Sequence, residues 1–258
     1  MSNIAKAFDH GKAFIPFITC GDPDLQTTVE CVKAMVDNGA DLIELGIPFS
    51  DPTAEGPVIM EASERALKNK VTTDDIFDMV KELRKDVKVP MVFMTYANVI
   101  YNYGIERFAK TEAALGMDGL ILPDVPFEEK HEFSDPFAAE GLDLISLIAP
   151  TSEQRVGMIA KEARGFVYCV SSLGVTGTRT SLSDAGKELA KAVHSYTDVP
   201  ACIGFGISNP EQAADMASAA DGVIVGSAIV KIVAKYGKDA APHVGQFVKE
   251  MKDAISNL

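Results

Sequence analysis

Three carboxylates crowd one short stretch of the sequence: Glu44, Asp51 and Glu55. Glu44 lies inside the apolar run Leu42-Ile43-Glu44-Leu45-Gly46, which reads as a strand. A carboxylate in such a run is costly to bury unless it is paired or has chemistry to do. Asp51 and Glu55 follow in the loop from Gly46 to Pro57, which proline and glycine shape and stiffen. Carboxylates held close together in unlike environments titrate apart, which suits acid–base catalysis. Two structural readings stay open at this point. Glu44 can have a structural role, pointing outward toward a helix or forming a salt bridge, and the loop can be a solvated acidic segment.

A second group of residues suits a phosphate. Glycine turns follow the last three apolar runs: Gly174-Val175-Thr176-Gly177, Gly204-Phe205-Gly206 and Gly226-Ser227-Ala228, the last opening a helical run. Glycine lets backbone N–H groups approach an anion, and a helix N-terminus adds the positive end of its dipole. Plain turn chemistry is the alternative for each of them. Other groups carry less. His10, His131, His194 and His243 fall in helical or loop segments without partners at metal-binding spacing. No lysine occupies the Walker position of a P-loop. Lys231 sits several residues past a strand end and is expected to face solvent, and Asp74, Asp75 and Asp78 read as a solvated helix face.

The elements that must position these groups alternate along the chain. Candidate strands are Ala13–Thr19, Leu42–Gly46, Pro90–Thr95, Gly119–Leu122, Leu142–Ile148, Phe166–Val170, Ala201–Gly204 and Gly222–Val225. Several are apolar almost throughout, as strands buried on both faces are. Amphipathic segments separate them: Thr27–Asn38, Thr73–Asp86, Gly104–Leu115, Ser152–Ala163, Asp184–Tyr196, Pro210–Ala219 and Val244–Ser256. Ile47 to Val89 should hold an irregular loop and two helices. Ser152 and the pair Asn209-Pro210 read as helix starts. The pattern predicts an α/β fold, a parallel TIM (β/α)₈ barrel with extra helices, as one domain over residues 1–258. Glu44 would then stand at the C-terminal end of the second strand, where barrels place catalytic groups.

Composition narrows the function. The chain has 258 residues with 24 basic and 37 acidic side chains, a net charge of −13. A nucleic-acid footprint would be basic, so none is expected. The first apolar stretch, Ala13–Thr19, is too short to span a bilayer, and the segment before it lacks a secretory signal's apolar core. Cys20, Cys31, Cys169 and Cys202 are widely spaced, as reduced buried thiols are. A cytoplasmic protein is expected.

At the same residues the chain resembles the α-subunit family of tryptophan synthase. The matching motifs run nearly end to end: Phe14 to Pro23, Glu44 to Pro52, Met94 to Asn98, Pro123 to Pro126, Gly174 to Gly177, Gly204 to Ile207 and Gly226 to Val230. The resemblance implies a lyase of tryptophan biosynthesis. It would split indole-3-glycerol phosphate into indole and glyceraldehyde 3-phosphate, without metal or organic cofactor. It implies that Glu44 is the acid–base catalyst and that a second carboxylate accepts the indole N–H. That position is aspartate in better-known members and Glu55 here. Phe17, Ile59, Tyr96, Ile121 and Phe205 would enclose the indole ring, with Tyr168 near Glu44. Gly177, Gly206, Gly226 and Ser227 would bind the phosphate, and Thr176 would belong to a closing lid. The implied partner is a β subunit that carries pyridoxal phosphate, in an αββα tetramer, met through loops 49–54 and 174–179. A weakly catalytic subunit that mainly activates β, and a free-standing indole-releasing lyase, are the alternatives.

Overall fold

Near-continuous apolar runs become parallel strands when helices or a core cover both faces. The computed structural model describes residues 2–170, 182–204 and 206–258, and among these nine parallel strands form one sheet. They are β1 (Ala13–Thr19), β2 (Ile43–Gly46), β3 (Met91–Met94), β4 (Gly119–Ile121), β5 (Asp143–Leu144), β6 (Ser146–Ile148), β7 (Val167–Val170), β8 (Ala201–Gly204) and β9 (Gly222–Val225). Their order is β5-β4-β3-β2-β1-β9-β8-β7-β6. The two ends of that order, β5 and β6, are separated in the chain by Ile145 alone. One strand therefore closes the sheet, its first half on β4 and its second half on β7. The result is a (β/α)₈ barrel. The sequence predicts an unbroken strand over Leu142–Ile148, and the change of partner at Ile145 is what divides it.

Helices surround the barrel: α1 (Leu25–Asp37), α2 (Pro57–Lys68), α3 (Thr73–Asp86), α4 (Ala97–Tyr103), α5 (Ile105–Ala114), α6 (His131–Ala139), α7 (Glu153–Ala160), α8 (Leu182–His194), α9 (Pro210–Ala217), α10 (Ser227–Tyr236) and α11 (Ala240–Ile255). Caps fix several starts. Asp24 accepts from the Thr27 N–H at 2.8 Å and begins α1 two residues earlier than its apolar period. Ser152 and Asn209 cap α7 and α9 as expected. Asp75 is more than a solvated face: it forms a capping box with Thr72, and Asp74 accepts from the Tyr103 hydroxyl at 2.6 Å. Helices α4 and α6 escape the sequence reading. The first spans two turns, too few to show a period, and the second contains Pro136. Lys231 is exposed on α10, as expected.

Two large clusters and one smaller one fill the fold. Ala13, Ile15, Leu42, Val92, Ile121 and Tyr168, among others drawn from around the sheet, form the barrel interior, closed below by Ile4 and Ala7. The alternate residues, such as Phe14, Ile43, Leu45, Phe93 and Val223, pack outward against the helices. All four cysteines are free and buried. Among the described residues no helix is long and apolar enough to cross a membrane.

An ion pair ties the β1 loop to α2. Arg65 grips the buried Asp22 through two contacts, of 2.7 and 2.8 Å. Removing one partner of a buried pair strands the other charge. Arg65→Ala is therefore expected to destabilise the protein by about 3 kcal/mol, read as a lower urea midpoint with an unchanged slope.

Candidate active site

Strand periodicity settles the direction of Glu44. Leu42 belongs to the interior cluster, while Ile43 and Leu45 belong to the helix-facing one. Alternation then places Glu44 on the side of Leu42, inside the barrel. The outward-facing reading is excluded. Register sets Glu44 between Phe17 on β1 and Val92 on β3. Its side chain is 1% exposed, and its Oε2 has no hydrogen-bond partner among the described residues. Burial pushes its carboxyl up to about 8, and the charge of Glu55 adds to the effect. At neutral pH this group holds its proton.

Glu55 stands half-buried in the loop before α2. Burial raises it to about 7, against a hydrogen bond from the Tyr96 hydroxyl that favours the carboxylate. Tyr96 lies two residues past β3, immediately before α4. Its oxygen also accepts from the Ala54 N–H at 3.1 Å, and its ring lies 5.2 Å from that of Phe49. One tyrosine thus fixes both walls of the loop that carries Glu55. Burial pushes the Tyr96 phenol up to about 12, so it stays a donor. Asp124, beyond β4, accepts from the Ala97 N–H with both oxygens at 3.1 Å and fastens the start of α4.

The apolar candidates fall into place around this pair. Phe17 packs with Ala62 and Val230, and with the half-buried Val58, Ile59 and Met94. Ile121 and Tyr168 lie in the barrel interior. The Tyr168 phenol is pushed upward by burial and then by the charge of Glu44. A Cβ at Gly204 would come within 2.5 Å of the Tyr168 ring, so the glycine makes room for it. Asp51, by contrast, is exposed and bonds to the neighbouring Ser50.

Across the barrel end, β8 and β9 are neighbours and lead to Gly206 and Gly226. Gly206 has φ +78°, with open space where a Cβ would stand. Gly226 precedes α10 with no side-chain cap, and Ser227 is its exposed first residue. The first-turn N–H groups of α10 are therefore available to an anion. Thr176, Gly177 and Phe205 lie outside the described residues. The contributions of Phe49 and Asp124 were missed from the sequence. Both sit in legible motifs, but nothing local signals that one stacks on Tyr96 and the other holds α4.

Comparison with known proteins bears on this geometry. The family model for the tryptophan synthase alpha chain matches residues 4–256. The tryptophan synthase alpha chain of Lacticaseibacillus casei is 48% identical over 99% of this chain and 96% of its own length. The crystal structure of tryptophan synthase subunit alpha from Legionella pneumophila superposes with a TM-score of 0.90 at 38% identity, covering 100% of both chains. That of the tryptophan synthase complex from Pyrococcus furiosus gives 0.84 at 35% identity, covering 94% of this chain and 99% of that one. A buried proton-holding glutamate, a second carboxylate beside it and an uncapped helix start thus sit on a barrel shared with these proteins from end to end, and the chain belongs to the tryptophan synthase alpha chain family.

Proposed function

We propose that this chain, as a single barrel domain over residues 1–258, cleaves indole-3-glycerol phosphate to indole and glyceraldehyde 3-phosphate. The observation that carries this reading is the protonated Glu44 inside the barrel, within the field of Glu55. Retro-aldol cleavage needs a proton on the ring carbon that bears the glycerol chain. It also needs a base for the adjacent hydroxyl of that chain. Glu44 gives its proton to the carbon and, as carboxylate, takes the hydroxyl proton when the C–C bond breaks, so the enzyme ends as it began. Glu55 accepts the indole N–H, which becomes more acidic as the ring gains positive charge. This contact strengthens toward the transition state. Phe17, Ile59, Tyr96, Ile121, Tyr168 and Phe205 hold the ring. Gly177, Gly206, Gly226 and Ser227 hold the phosphate, and Thr176 belongs to the lid.

The chemistry asks for no metal or organic cofactor in this chain. Pyridoxal phosphate belongs to the β subunit, with which the chain forms an αββα tetramer in the cytoplasm. The paired carboxylates favour the catalytic subunit over a mainly regulatory one. The test is release of glyceraldehyde 3-phosphate from indole-3-glycerol phosphate by the purified chain with β, followed through a coupled dehydrogenase. Absence of product would sink the reading.

The phosphate assignment has its own check. Ser227→Asp puts a negative charge at the start of α10, where the substrate's phosphate needs the helix N–H groups. KM is expected to rise about 100-fold, with kcat changed much less, because like-charge juxtaposition costs several kcal/mol.

A further inference from the structure

Strand five is an anomaly in the barrel wall. β1, β2, β4, β8 and β9 are buried throughout, and β3 and β7 are partly exposed only at their last residue. In strand five the two residues that alternate onto the helix-facing side, Leu144 and Ser146, are both half-buried. Outward-facing barrel residues are ordinarily covered by helices. Here α6 and α7 are short, at 9 and 8 residues, and a cavity of about 520 Å³ lies along the strand. Its lining includes Phe127, Ala138, Leu142, Leu144, Ser146 and Ile159. None of the proposed catalytic or phosphate-binding residues borders it. The volume falls within the ~300–1,000 Å³ of small-molecule sites.

The lining's charge points to the class of ligand. Lys130, Arg155, Lys161 and Arg164 border the cavity with only two carboxylates, Asp135 and Glu162, in a chain whose net charge is −13. Lys130 pairs with Glu162 at 2.7 Å, and Arg155 pairs with Glu128 at 2.6 Å. His131 contacts Asp135 at 3.3 Å. Lys161 forms no ion pair among the described residues, its ammonium standing 5.7 Å from the Tyr196 ring centroid. Arg164 feels Asp143 only as a nearby charge. Both cations are exposed just past α7, and both residues border the cavity.

We propose that the groove between α6 and α7 is a second ligand site, taking a small apolar monoanion, with its carboxylate or sulfonate on Lys161 and Arg164 and its apolar body over Leu144 and Ser146. Burying apolar body against floor supplies affinity, and the cations fix orientation.

The test uses 8-anilinonaphthalene-1-sulfonate, an aromatic monoanion that fluoresces when removed from water. Titration should show one saturable equivalent on the folded chain. Lys161→Glu, a change at an exposed position, should weaken it at least about tenfold. Ser146→Phe, which fills the floor, should abolish it, with cooperative thermal unfolding as the check of fold. Saturating glycerol 3-phosphate, which addresses the proposed phosphate site instead, should leave it unchanged. Binding that survives both substitutions, exceeds one equivalent, or is displaced by glycerol 3-phosphate overturns the proposal. Should Ser146→Phe fail to fold, Lys161→Glu decides alone.

Discussion

Glu44→Gln is expected to lower kcat for indole-3-glycerol phosphate cleavage at least about 1,000-fold, with KM nearly unchanged, since positioned acid–base catalysis supplies ~10²–10⁴. Glutamine keeps the shape but neither gives a proton to the ring carbon nor takes one from the hydroxyl. The same substitution has an opposite effect on stability. The folded carboxyl sits at about 8, above its ordinary 4.5. Below pH 4.5 both folded and unfolded chains hold the proton, and Glu44 has no pH-dependent effect. As pH rises from 4.5 toward 8 the unfolded chain ionises first, so the folded state loses stability, and the loss levels off above pH 8. The full cost is at most about 5 kcal/mol. Glu44→Gln should therefore match the parent in urea at pH 4.5 and exceed it by several kcal/mol at pH 9. Equal midpoints at both pH values would show that Glu44 is not buried as described.

The two carboxylates also set the pH profile. Activity needs Glu55 ionised and Glu44 protonated. Their positions at about 7 and about 8 predict a bell in kcat/KM with its maximum between them. In Glu55→Gln the rising limb should vanish. The falling limb should move to lower pH, because the charge that helps hold the proton on Glu44 is gone. A falling limb that stays in place would remove the coupling.

What the sequence disclosed and what it withheld follow from the range of the interactions. Strands such as Ala13–Thr19 are legible because apolar runs need no partner to be recognised. The barrel is legible because such runs alternate with helical periods. The direction of Glu44 is not, since period two offers two faces and only the closed sheet says which is interior. Strand five looks continuous because the switch of neighbours at Ile145 is a property of the ring, not of the run. The hold of Tyr96 on Glu55 and Ala54 crosses some 40 residues of chain and leaves no local trace. The uncovered side of strand five is equally silent, since α6, interrupted by Pro136, hardly shows a period of its own.

Glu55 is where the family's more familiar aspartate is replaced, and the structure turns that departure into a prediction. If the longer side chain were a defect, Glu55→Asp would raise activity. The geometry argues for the reverse. The loop is fixed from outside Glu55: the Ala54 N–H is held by the Tyr96 oxygen, Phe49 packs on the Tyr96 ring, and α2 is anchored through Arg65 to Asp22. With its backbone pinned at both ends, the loop cannot move inward to make up for a lost methylene. An aspartate there would draw its carboxylate back by more than 1 Å from the Tyr96 hydroxyl and from the ring nitrogen it must meet, and displacements of that size cost up to about 100-fold. Glu55→Asp should therefore lower kcat 10- to 100-fold, and pairing it with Tyr96→Phe should cost less than the sum, since both remove the same hydrogen bond. A rise in kcat for Glu55→Asp would show instead that the loop yields, and that the glutamate limits this enzyme.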